Sequence, residues 1–172
     1  MIHLYCGNGK GKTTAAMGLA LRMAGRGRRV LIVQFLKSED SGERKLLATL
    51  PGVTLLPLPE KLNFLWAMTE AEKAAEQARC QALLDRAMEA LEQDAPGLLV
   101  LDELCAAVSE KLVPLPAVLR CLDLCRSRGT EVVMTGQNPE NELLEQADYV
   151  TEMKKVRHPF DFGISARSGV EF

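Results

Sequence analysis

A segment rich in glycine and lysine near the start of the chain has the composition of a phosphate-binding loop. It consists of Gly7, Asn8, Gly9, Lys10, Gly11, Lys12, Thr13 and Thr14. In such loops the glycines let backbone N–H groups curl round phosphate oxygens, and the N-terminus of the following helix faces the anion. We therefore predict that Lys12 contacts terminal phosphates and that the Thr13 hydroxyl binds Mg²⁺.

The loop departs from the common G-x-x-x-x-G-K-[ST] pattern in one respect. That pattern would place its first glycine at Cys6, whereas here the upstream glycines are Gly7 and Gly9. The alternative interpretation is a glycine-rich turn with incidental lysines. An apolar strand-like run before the loop and a helical run after it favour the phosphate loop.

A second motif, which is acidic, follows the apolar run at residues 98–101. Asp102 and Glu103 end this run, an arrangement that can hold a carboxylate near the Mg²⁺ ion of a bound nucleotide. Alone, such a pair is as often a solvated strand terminus. Together with the loop, it indicates a magnesium–nucleotide site.

Alternating strand-like and helical segments must position these motifs. Nearly continuous apolar runs predict strands at residues 2–6, 30–35, 98–101 and 131–135, and helical patterns cover residues 13–26, 69–93, 115–128 and 139–146. A short strand with loops is expected within residues 51–59. Thr69 and Glu72 form a capping-box pattern, and a stripe of alanines at 71, 74, 75, 78 and 82 predicts close packing of that helix. The fold class is therefore α/β: a single P-loop NTPase-like domain, residues 1–172, with a mainly parallel sheet flanked by helices.

Composition narrows the functional class further. The 172 residues carry 21 Lys and Arg against 23 Asp and Glu, which argues against a protein that coats nucleic acid. Five scattered cysteines predict reduced thiols in a cytoplasmic protein, and no apolar run is long enough to span a membrane. Neither His3 nor His158 forms an evident acid–base pair: His3 is expected to be structural, and His158 to lie on a solvated basic face or to contact an anion.

The chain resembles the ATP:corrinoid adenosyltransferases nearly end to end. The segments that carry the resemblance occur in the same order, at residues 7–14, 33–37, 64–66, 100–104, 135–136, 147–153 and 158–163. That family's loop itself reads GNGKGKT, so the shifted glycines support the resemblance.

The resemblance implies an activity that needs no protein nucleophile. Co(I) of the reduced corrinoid attacks C5′ of ATP, held in reverse orientation in the loop, and displaces tripolyphosphate. Thr13 and Glu103 are then the expected contacts of Mg²⁺, for which Mn²⁺ can substitute, and Asp102 is the second-ranked carboxylate contact. The cofactors and substrates implied are ATP, Mg²⁺ and a corrinoid; the partners implied are a flavoprotein reductant and a second copy of the chain in a homodimer.

Phe64 and Trp66 are two of the chain's eight aromatic residues. By resemblance they lie against the corrinoid and help to remove its lower axial ligand, so that Co(II) can be reduced. The alternative is that both are hydrophobic plugs packed under the loop.

Three positions differ from the family pattern. Gln137 stands where an arginine is usual, and Phe162 and Arg167 replace alanine and glutamine in the ending. These differences leave open a second interpretation, a nucleotide-dependent binding or switch protein that has lost the transfer reaction. A small-molecule kinase ranks third, because no base for an acceptor is evident.

Overall fold

Six parallel strands form the centre of the protein in the computed structural model, which describes residues 1–171. The strands are β1 (Ile2–Cys6), β2 (Val30–Gln34), β3 (Val53–Leu55), β4 (Leu98–Asp102), β5 (Glu131–Thr135) and β6 (Tyr149–Glu152). Their order across the sheet is β3-β2-β4-β5-β1-β6, and every neighbouring pair is parallel. The predicted α/β class with a parallel sheet is confirmed.

Helices cover both faces of the sheet. They are α1 (Lys12–Ala24), α2 (Gly42–Leu47), α3 (Glu70–Asp94), α4 (Leu104–Ser109), α5 (Leu115–Arg128) and α6 (Asn141–Gln146), with 3₁₀ turns at Leu65–Ala67 and Pro159–Phe162. On one face, α3, α4 and α5 contribute to the larger core cluster, and on the other Ala16, Met17 and Ala20 of α1 pack against Val100 and Val133. Because both faces are covered, β2 and β4 are buried along their whole length, which explains their continuous apolar runs.

The four main strands and four main helices lie where the sequence predicts them, with ends shifted by one or two residues. The short strand expected within residues 51–59 is β3, and the capping box at Thr69 is formed: its hydroxyl accepts from the Glu72 N–H while the Glu72 carboxylate accepts from the Thr69 N–H. The predicted helix 139–146 begins at Asn141, because Glu140 is still extended. No helix within residues 1–171 is long and apolar enough to cross a membrane.

Packing of α3 differs from the prediction. The alanine stripe at residues 71, 74, 75, 78 and 82 is exposed, so its predicted role in close helix packing is wrong. The buried residues of this helix are instead Glu76, Cys80, Leu83, Leu84, Ala87 and Leu91, from its middle to near its end. The leucines at 83, 84 and 91 therefore determine which face of the helix meets the core.

Candidate nucleotide site

A cavity of about 700 Å³ opens beyond the carboxyl ends of the parallel strands. Its walls come from the phosphate loop, from residues 36–38 and 40–43 after β2, from residues 62–64, from Glu103 after β4, and from residues 169–171. The carboxyl edge of a parallel sheet is the usual place for a ligand in α/β proteins. This volume also lies within the range of small-molecule sites.

The backbone of the phosphate loop explains the shifted glycines. Gly9 donates its N–H to the Met153 carbonyl at 2.6 Å, just beyond β6. A Cβ at Gly7 or Gly9 would lie 2.5 or 2.6 Å from that same oxygen, closer than any side chain tolerates. Gly11 has a left-handed φ of 111° at the N-cap of α1. Gly7 and Gly9 therefore leave room for the backbone just beyond β6. Gly11 turns the chain into helix α1.

The polar residues of the loop are held in different ways. Lys12 is buried and donates to the Gly9 carbonyl at 2.8 Å, so its ammonium lies inside the curl of the loop. Lys10 reaches the Val170 carbonyl at 2.8 Å, and the Asn8 side chain accepts the Lys155 N–H at 2.8 Å. Thr14 is exposed on the cavity wall. Of these residues, Lys12 is the cation best placed to meet phosphates within the loop.

Asp102 is the centre of a buried hydrogen-bond network at the end of β4. Its Oδ1 accepts from Thr13 Oγ1 at 2.9 Å and from Thr135 Oγ1 at 2.7 Å. Its Oδ2 accepts from Gln34 Nε2 at 3.0 Å and from Lys37 Nζ at 2.6 Å. Burial acts to raise the pKa of this carboxyl, but the Lys37 charge and the hydrogen bonds outweigh burial and lower it. Asp102 is therefore ionised at neutral pH.

Glu103 occupies a left-handed conformation, with φ 59°, between β4 and α4. Its N–H donates to Thr135 Oγ1 at 2.9 Å, and the residue lines the cavity. Burial, followed by the charge of Asp102, raises the pKa of its carboxyl. The strand end thus presents one carboxylate in contact with Thr13 and a second one along the cavity wall.

These side chains form a donor set that suits Mg²⁺. Magnesium is commonly held by one or two carboxylates together with the phosphates of a bound nucleotide. The Thr13 hydroxyl and the Asp102 carboxylate are already 2.9 Å apart, and Glu103 faces the same cavity. From the sequence, Glu103 is the preferred carboxylate contact of the metal and Asp102 is second. In the structure it is Asp102 that contacts Thr13 directly.

The aromatic pair is at the surface. Phe64 is 74% exposed and Trp66 is 85% exposed, and their rings stack with centroids 5.9 Å apart and planes 12° apart. Phe64 borders the nucleotide cavity, whereas Trp66 borders a second cavity of about 590 Å³ beside α3. Such exposure does not fit buried plugs and leaves both rings free to meet a flat ligand.

Both histidines have structural contacts. His3 stacks on Tyr149 with ring centroids 4.7 Å apart and lies 3.1 Å from Glu131 Oε2, as its expected structural role requires. His158 Nδ1 accepts the Phe160 N–H at 3.2 Å and so caps the turn Pro159–Phe162.

The model of one protein family matches the full length of the chain. That family is described as ATP:corrinoid adenosyltransferase BtuR/CobO/CobP, and the match covers residues 1–172. Proteins named corrinoid adenosyltransferase from Escherichia coli strain K12 and Salmonella typhimurium strain LT2 are 35% and 36% identical over 173 residues. Each alignment spans 100% of this chain and 85% of the relative.

Solved structures share the fold at low sequence identity. The flagellar accessory protein FlaH of Methanocaldococcus jannaschii has a TM-score of 0.55 at 12% identity, covering 88% of this chain and 69% of its own. A KaiC-like protein of Pyrococcus horikoshii has a TM-score of 0.56 at 15% identity, covering 89% and 71%. Both similarities concern the P-loop NTPase-like fold alone.

Proposed function

Since the chain belongs to the ATP:corrinoid adenosyltransferase family, we propose that it transfers the 5′-deoxyadenosyl group of ATP to Co(I) of a reduced corrinoid and releases tripolyphosphate. The observation that carries this proposal is one cavity with a phosphate loop along one wall and an exposed aromatic residue, Phe64, at its border. The first feature suits a triphosphate and the second suits a flat macrocycle.

The reaction requires positioning more than acid–base chemistry. The Co(I) electron pair forms the cobalt–carbon bond while the C5′–O bond breaks, and its electrons pass to the departing triphosphate oxygen. Gly9, Gly11, Lys12 and Thr13 would hold the triphosphate so that C5′ faces the corrinoid. Lys12 and the loop N–H groups would stabilise the negative charge that grows on the leaving group.

Thr13, Asp102 and Glu103 are the residues that would hold Mg²⁺ beside the triphosphate, with Mn²⁺ as a substitute. When bound, the ion supplies charge neutralisation to the departing phosphates. Gln34 orients the Asp102 carboxylate through the hydrogen bond from its Nε2 to Asp102 Oδ2.

Anaerobic incubation of the protein with MgATP and chemically reduced cob(I)alamin tests this proposal. Appearance of the adenosylcobalamin spectrum, dependent on protein and on ATP, is the expected result.

A second candidate function is a nucleotide-dependent binding or switch protein, favoured by the exposed Gln137, Phe162 and Arg167 at positions that differ from the family pattern. Tight MgATP binding without any adenosylated product would favour that alternative.

Trp66→Ala tests whether the aromatic pair acts on the corrinoid. When cob(II)alamin must be reduced by a flavoprotein that is a mild reductant, we expect the rate of this variant to fall about tenfold or more. The reason is that removal of the lower ligand comes before electron transfer. With chemically supplied Co(I) the loss should be far smaller, and the affinity for MgATP should be unchanged. Since Trp66 is 85% exposed, the melting temperature should stay near that of the wild type.

A matched control for Trp66→Ala is Leu46→Ala, which also removes an exposed apolar side chain but lies on α2. Equal losses of rate with both reductants, together with a large fall in melting temperature, would instead assign Trp66 a packing role.

Three further expectations concern assembly, the reductant and the cellular location. We expect a homodimer in solution, a flavoprotein as the source of the electron, and a cytoplasmic location. Sedimentation of the purified protein would measure the first of these directly.

A further inference from the structure

Lys37 reaches from the end of β2 into the candidate metal site. Its Nζ donates to Thr13 Oγ1 at 2.8 Å and to Asp102 Oδ2 at 2.6 Å. The preceding residue, Leu36, has a φ of 53°, a left-handed conformation that is costly for a residue with a side chain. The backbone therefore turns sharply just where Lys37 is directed toward the loop.

The oxygens that hold this ammonium are the same ones that would hold a divalent metal. Both Thr13 and Asp102 belong to the donor set that suits Mg²⁺, and a cation already sits between them. We propose that Lys37 is a built-in cation that occupies the metal-binding oxygens while no nucleotide is bound and is displaced when metal and nucleotide arrive together. This inference rests on the proposed function, because it takes Thr13 and Asp102 as metal contacts.

Burial explains why the free protein needs such a cation. Asp102 is fully buried, and a buried carboxylate without a cationic partner is strongly destabilising. The two lysines of the loop itself are engaged elsewhere, Lys12 with the Gly9 carbonyl and Lys10 with the Val170 carbonyl. Lys37 therefore compensates the Asp102 charge and keeps Thr13 and Asp102 in place for the metal.

The same arrangement couples metal binding to nucleotide binding. A metal ion that arrives alone must expel an ammonium from its ion pair and gains no phosphate ligands. A metal ion that arrives with a triphosphate brings negative charge, and the Lys37 side chain, which lines the same cavity, can then meet that charge. The free protein should accordingly bind divalent metal weakly, and nucleotide and metal should bind together.

Mn²⁺ titrations without nucleotide test this inference, with bound metal followed by loss of the free-ion electron paramagnetic resonance signal. Lys37→Gln removes the charge but keeps a hydrogen-bond donor. We expect it to bind Mn²⁺ about tenfold or more tightly than the wild type, because one positive charge beside the metal is gone. Lys37→Arg should bind like the wild type, as should Lys45→Gln, which removes an exposed charge on α2.

The double variant Lys37→Gln/Asp102→Asn should not bind Mn²⁺ more tightly than the wild type, because the carboxylate that holds the metal is gone. Equal affinities of wild type and Lys37→Gln would overturn the inference, as would a gain that survives in the double variant or appears equally in Lys45→Gln. Thermal melts establish that each protein is folded, and Lys37→Met replaces Lys37→Gln if that variant does not fold.

A parallel titration of wild-type protein with MnATP separates this inference from the proposed function. Failure of the wild type to bind MnATP would contradict the nucleotide site. The comparison of Mn²⁺ affinity between wild type and Lys37→Gln without nucleotide would still test whether Lys37 competes with the metal.

Discussion

Replacing Lys12 with alanine is expected to weaken MgATP binding about 100-fold or more. The Lys12 ammonium lies inside the phosphate loop, buried and 2.8 Å from the Gly9 carbonyl, where a triphosphate would become its partner. Loss of a charged partner from a buried hydrogen-bonded pair costs about 2–5 kcal/mol, which corresponds to this change in affinity. Calorimetric titration with a non-reacting MgATP analogue measures the effect.

Lys45→Ala is the matched control for Lys12→Ala, because it removes an exposed lysine from α2. The control should bind MgATP like the wild type, and both variants should melt near the wild-type temperature. Unchanged affinity of a folded Lys12→Ala protein would contradict the assignment of the phosphate loop.

Asp102→Asn is expected to lower the free energy of unfolding by about 3 kcal/mol at pH 7. Breaking a buried ion pair by neutralising one partner costs about 3–5 kcal/mol, and the lower end applies because the Lys37 side chain is 22% exposed and can turn to water. Urea denaturation of the two proteins measures the difference. A matched control is Asp123→Asn, which neutralises an exposed carboxylate on α5 that lies 3.5 Å from Arg126.

The effect of Asp102→Asn should depend on pH in a defined direction. The pKa of Asp102 is lowered in the folded state, so its stabilisation is fully present above the unfolded value near 3.8 and is lost as the pH falls through the folded value. The difference between wild type and variant should therefore stay constant from about pH 7 to about pH 5 and narrow below about pH 4. A difference that grows on acidification, or a variant as stable as the wild type at pH 7, would contradict the ionised network.

Much of the phosphate site could be predicted from local sequence, because its parts are contiguous. Residues 7–14 combine glycines, a lysine and a threonine directly between a strand and a helix, and Asp102 ends an apolar strand. Each of these signals lies within a few residues, so periodicity and residue type were sufficient to find them.

Long-range contacts account for what could not be predicted. Lys37 lies 24 residues from Thr13 and 65 from Asp102 along the chain, and only the sheet order brings them together. In the sequence, Lys37 follows the end of β2 by three residues and lies in the segment 33–37 that carries the family resemblance, but neither signal indicates that it contacts Thr13 and Asp102. Gly9 meets Met153 because β6 is the neighbour of β1, a pairing that no local pattern encodes.

Short or exposed elements were missed for a different reason. β6 is exposed along its length at the edge of the sheet and therefore has no buried apolar run. α2 and α4 have six residues each, less than two turns of helix, so their helical period is weak. The first half of α3 shows the converse problem, since its regular alanine stripe faces solvent.

The identity of the phosphate product tests the central claim most directly. Purified protein is incubated anaerobically with MgATP and cob(I)alamin, and adenosylcobalamin and the released phosphates are quantified in the same sample. Cleavage at C5′ predicts tripolyphosphate in equal amount to adenosylcobalamin, with Lys12→Ala reducing both together. Release of ADP and orthophosphate without adenosylcobalamin would contradict adenosyl transfer and identify an ordinary ATPase.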